Sequence, residues 1–148
     1  MPSQTFTHRS TANVPLEVVW AALERPETWE AIGGVDRVFD PRIDEAGRLQ
    51  GFSFDTMAAG KRYVGSATPR ERIDGRRLGW NIQNSEIRGT TTVDVAPSAN
   101  GDTAITVTLE VESAGFLSSM FFPVIAGAIG SGLPRAVDEF AAALSSRA

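Results

Sequence analysis

A chain of 148 residues with 42% hydrophobic and 22% charged side chains can bury a substantial core and is too apolar for a disordered segment. It contains no cysteine. That excludes disulfides, thiolate metal sites and cysteine nucleophiles and makes a cytoplasmic setting the expected one, as does an N-terminus without the basic start and apolar run of a secretion signal. A net charge of −4 argues against nucleic acid or an anionic membrane as a general electrostatic partner.

No repeat, low-complexity tract or long Pro/Gly/Ser linker divides the sequence, so residues 1–148 are expected to form one domain. Gln4 to Ala12 alternates, with Phe6, His8, Ser10 and Ala12 on one face and threonines and Arg9 on the other, and is predicted as the first strand. Next, Asn13 is a candidate cap and Pro15 an early helical residue for a short helix whose apolar side is Leu16, Val19, Trp20 and Leu23. Pro26 then opens a second short helix carrying Trp29 and Ile32, and Gly33-Gly34 stops it.

From Val35 to Ser113 the chain reads as a meander. Turn signals at Asp44-Glu45-Ala46-Gly47, Asp74-Gly75 and Asn100-Gly101, with weaker breaks at Ala58-Ala59-Gly60 and around Glu86 to Gly89, divide it into six strands, making seven in all. One face is apolar: Phe52 and Phe54, then Tyr63, Gly65 and Ala67, then Leu78, Trp80 and Ile82, then Val93 and Val95, then Ile105 to Val111 in alternation. The other, with Gln50, Arg62, Asn81, Gln83, Asp94, Glu110 and Glu112, is polar, so something must cover the first face.

The cover is the C-terminal region. Pro134 to Leu144 places Val137, Phe140, Ala141 and Leu144 on one side of a helix. The stretch before it, residues 114–134, carries no charge, and about 20 apolar residues could span a bilayer. Pro123, Pro134 and the glycines oppose a membrane span, which leaves burial against the sheet or, for residues 115–122, a peripheral membrane-touching lid. Gly127 to Gly132 lack the order and the lysine of a phosphate loop, and their small residues would either let the helix approach the sheet closely or leave space for a ligand between them.

The order strand, two short helices, six-stranded meander, long terminal helix, together with Val14-Pro15-Leu16-Glu17-Val18-Val19-Trp20 and Pro26-Glu27-Thr28-Trp29, resembles the START-like, polyketide cyclase/dehydrase and pollen-allergen (SRPBCC) superfamily over essentially the whole chain. The resemblance implies an α+β helix-grip fold, a seven-stranded antiparallel sheet wrapped around the terminal helix, with a cavity between them for a hydrophobic ligand. On that reading Trp29, Phe52, Phe54, Tyr63, Trp80, Ile82, Phe121, Ile125 and Ile129 are the candidate ligand-binding residues.

No residue cluster demands a particular reaction. His8, the one histidine, can build neither a multi-histidine metal site nor, without a nucleophile motif, a triad, and reads as structural. No metal or cofactor is expected. Binding of a lipid-like, polyketide or aromatic metabolite by a carrier or sensor is the first expectation. The alternative is a cyclase or dehydratase in which Asp55 or Glu86, aided by Tyr63 or Arg62, moves a proton. A third reading is an interaction module acting through the uncharged segment. The basic tip formed by Arg70, Arg72, Arg76 and Arg77 around Asp74-Gly75 reads as a solvated turn and not as a nucleic-acid site. Monomer and dimer are equally compatible with the sequence.

Overall fold

The computed structural model describes residues 3–33, 35–58, 60–85, 87–114, 123, 126–127 and 130–146. Strand β1 (Ser3–Ala12) leads into helices α1 (Leu16–Leu23) and α2 (Pro26–Ile32). Six strands follow, β2 (Arg37–Ile43), β3 (Leu49–Ala58), β4 (Lys61–Ile73), β5 (Arg77–Gln83), β6 (Ile87–Pro97) and β7 (Thr103–Ser113), and then helix α3 (Leu133–Ser146). All strand pairs are antiparallel in the order β1-β7-β6-β5-β4-β3-β2. This is the expected helix-grip architecture, because consecutive hairpins produce a meander and the first strand returns beside the last.

The two short helices are fastened by side chains rather than by their own caps. Pro15, not Asn13, is the N-cap of α1, with no side-chain bond, and its carbonyl accepts from Val18 N at 3.0 Å. At the other end the carbonyls of Ala22 and Leu23 accept from Thr28 Oγ1 at 2.6 Å and Trp29 Nε1 at 2.8 Å. The second helix thereby satisfies carbonyls that the first leaves open at its last turn.

The concave face is the apolar one. Leu78, Trp80, Val93, Ile105, Val107 and Leu109 are buried there together with Val19 and Leu23 of α1 and Val137, Ala141 and Leu144 of α3. Helix α3 lies along β1 and touches α2. Its approach depends on Gly130, because a Cβ there would come within 2.5 Å of the Phe6 ring. Gly127 and Gly132 have nothing within 4 Å, so among the three glycines of the stretch only Gly130 shows the expected close packing. His8 Nε2 and Asp138 Oδ1, 2.9 Å apart, make a second tie between β1 and α3.

Two features depart from simple alternation. Leu49 and Phe52 are both buried although strict alternation would put them on opposite faces, because the pairing shifts at Gly51, which takes φ 140°. A side chain at Gly51 would run into the Arg42 guanidinium and the Ala67 carbonyl, so this bulge belongs to glycine. The turn placed around Glu86 to Gly89 falls earlier, since Asn84 N–H donates to Ile87 O and Gly89 already pairs with Ile82 and Val111.

Among the described residues no helix is long and apolar enough to cross a membrane. The 115–122 lid and the candidate residues Glu86, Phe121, Ile125 and Ile129 lie outside the described residues.

Candidate ligand cavity

The middle strands carry the site. Facing positions form rows across the sheet: Phe52 pairs with Ala67, Ala67 with Ile82, and Ile82 with Gly89, while Phe54 pairs with Gly65. Large side chains from β3 and β5 therefore alternate with small ones from β4 and β6, and space remains above the small ones. The Phe54 ring leans over Gly65, where a Cβ would come within 2.7 Å of the ring.

The resulting pocket is lined, among the described residues, by Trp29, Gly33, Val35, Phe52, Phe54, Ile82 and Thr91. Its empty space, counted out into open solvent, is about 340 Å³. The walls are hydrophobic and close together, so a bound molecule larger than water must spread them. The floor is an aromatic stack: the Trp29 and Phe52 ring centroids are 6.2 Å apart and nearly parallel, and Trp80 meets both edge-on at 5.7 and 5.4 Å. Offset and edge-on contacts of this kind stabilise ring clusters beyond area burial.

Four predicted ligand residues, Trp29, Phe52, Phe54 and Ile82, thus line one pocket. Trp80 lies beneath it, fully buried. Tyr63 stands two pairs nearer the hairpin tip than Phe54, across from Thr56, and is also buried. Sequence reasoning missed Gly33, Val35 and Thr91. The signal for Thr91 was present, since it continues the inward parity of Val93 and Val95.

Asp55 requires a correction. As a cavity acid it would need the parity of Phe54 and Thr56, yet it stands opposite Val64, which is 53% exposed, on the convex face. There it is covered by Arg37, whose Nε lies 3.2 Å from Oδ2, and by Arg62, which donates to the same oxygen. The carboxylate is buried by its counter-ions and not by the cavity. Arg62 is committed to that ion pair and does not stand beside a cavity acid.

The basic tip is likewise not a free turn. Arg72 donates to Glu24 Oε2 at 2.6 Å, to Glu24 Oε1 at 3.0 Å and to the Leu49 carbonyl at 2.8 Å, and the Glu24 bond holds its guanidinium even further from deprotonation than usual. Arg77 is bound by Asp94 at 2.6 Å and approached by Glu71 at 3.4 Å.

Comparison with known proteins agrees with this geometry. The family described as polyketide cyclase / dehydrase and lipid transport matches residues 3–148, and the chain belongs to that family. No curated protein sequence matches it. The Zhui aromatase/cyclase of Streptomyces sp. R1128 superposes with a TM-score of 0.71 at 12% identity, covering 99% of this chain and 96% of that one. Protein TTHA0849 of Thermus thermophilus gives 0.70 at 13% identity over 98% and 99%. A START superfamily protein of Mycobacterium smegmatis gives 0.59 at 12% identity over 87% and 96%. At such identities the likeness is one of fold.

Proposed function

We propose that the chain binds a small hydrophobic molecule in the pocket between the concave sheet and α2 with the residues that follow it, as a carrier or sensor. The observation that carries this reading is the lining itself: its described residues are apolar apart from Thr91 and include no carboxylate, while the one described acid weighed for catalysis faces the other side of the sheet. Trp29, Phe52, Phe54 and Ile82 supply the contact. Burying roughly 300 Å² of ligand at about 25 cal/mol per Å² contributes on the order of 7 kcal/mol before ordering costs, enough for binding between micromolar and millimolar without special chemistry.

Filling the pocket tests this. Ile82→Trp places a larger side chain between Phe54 and Thr91, and binding of a neutral solvatochromic dye such as Nile red is expected to weaken at least tenfold. Undiminished dye binding would move the ligand elsewhere.

Cyclase or dehydratase chemistry is the second reading, favoured by the cyclisation and dehydration functions within the family and by the position of Tyr63 on the concave side near the pocket. Its phenol would be the proton-handling group. Loss of turnover of a polyketide-like substrate in Tyr63→Phe, with ligand affinity retained, would support it, and equal turnover would leave no described group to perform the step.

A further inference from the structure

The strand face that lines the pocket turns polar beyond Phe54. Two pairs beyond Phe54 and Gly65, on the same face, Thr56 faces Tyr63, and the next position of that parity on β4 is Lys61. Thr56 is 3% exposed, and its Oγ1 has no hydrogen-bond partner among the described residues. A buried hydroxyl without a partner costs free energy, and native structures retain one where something else supplies the bond. Lys61 is the chain's single lysine and Tyr63 its single tyrosine. The ammonium sits 5.3 Å from the centre of the phenol ring, and no ion pair is found for it among the described residues. The nearby Arg37 and Arg62 share one carboxylate, Asp55, on the convex face. Asp36 for its part accepts from Met57 N at 2.6 Å. The Lys61 ammonium therefore stands, without a counter-ion among the described residues, on the strand face that carries Tyr63 and Thr56 and, further along, Phe54.

We infer that Thr56, Tyr63 and Lys61 form a head-group site that selects hydrophobic acids, molecules with a carboxylate at one end, over their neutral counterparts. The inference rests on the ligand-binding reading above and specifies its ligand. The tail occupies the space between Phe52, Phe54 and Ile82. The carboxylate faces the Lys61 ammonium and accepts from the Thr56 hydroxyl. Because Lys61 is exposed and Thr56 buried, the ammonium supplies charge through partly hydrated space, and the hydroxyl supplies the directional bond.

The test compares decanoate with methyl decanoate in displacing Nile red from the full chain. The wild type is expected to bind decanoate about fivefold more tightly than the ester, the scale of one partly exposed charge-assisted contact. Lys61→Met should abolish that preference and leave ester affinity within about twofold. Thr56→Val, which keeps the shape and removes the unsatisfied oxygen, should raise the melting temperature and at the same time weaken decanoate binding. A wild type that binds acid and ester equally, or a preference that survives in Lys61→Met, overturns the head-group site while leaving the pocket reading standing. Unchanged decanoate affinity in Thr56→Val removes the hydroxyl from it. If neither compound displaces bound dye, the head-group site fails alone, and if the dye itself does not bind, both readings fail.

Discussion

Arg72 shows how a single side chain can hold two remote parts of this fold together. Its guanidinium joins β4 to Glu24 just beyond α1 and to the backbone of β3, and Glu24 also accepts from Leu49 N at 3.0 Å. Both side chains are less than one-fifth exposed. Replacing one partner leaves the other's charge and the Leu49 carbonyl without their bonds, so Arg72→Met is expected to cost about 3 kcal/mol in denaturant unfolding. The double variant with Glu24→Gln should cost less than the sum of the two single changes. None of this was legible in the sequence, where Glu24 and Arg72 stand 48 residues apart and Arg72 looks like one more arginine beside a turn. The Asp55 ion pairs were hidden for the same reason, although parity with Phe54 was enough to place Asp55 on the opposite face.

Among the elements, the union of β1 with α3 closes the cavity side of the sheet and rests on contacts that can be weakened singly. Gly130→Ala places a methyl within 2.5 Å of the half-buried Phe6 ring and is expected to destabilise by about 1–3 kcal/mol, because the ring or the backbone must shift to admit it. Asp138 carries a pH dependence. The His8 hydrogen bond, followed by one from Ser10, lowers its carboxyl pKa below the usual 3.8. A carboxyl depressed in the folded state adds stability above its unfolded value and loses that contribution as pH falls through the folded one. The difference in unfolding midpoint between the wild type and Asp138→Asn should therefore persist from neutral pH to about 4 and vanish in stronger acid, and a constant difference down to pH 2 would contradict it. Elements were the readable level of this sequence. Asp44-Gly47, Asp74-Gly75 and Asn100-Gly101 each mark a real turn, and the alternation of Leu78, Trp80 and Ile82 gives the buried face of β5 directly. The bulge at Gly51 was not readable, because its cause is the Arg42 side chain and the Ala67 carbonyl on neighbouring strands.

For the whole molecule, seven strands and a terminal helix enclose a space that large residues on β3 and β5 frame and small ones on β4 and β6 leave open. One of the two edges of that sheet is blunted: β2 carries a register shift between Phe39 and Arg42, a positive φ at Asp40 and a proline at 41, features that oppose addition of another strand. The molecule's inward side is thus the better candidate for its interaction with another molecule. Native mass spectrometry of protein purified from its own host, followed by identification of the released small molecule, tests that claim most directly. The account predicts a stoichiometric bound mass that is hydrophobic, carries a carboxylate, and is lost from Ile82→Trp. A protein that arrives empty, takes up no added decanoate and binds no hydrophobic dye would contradict it and would make the pocket between Trp29, Phe54 and Ile82 a feature of packing alone.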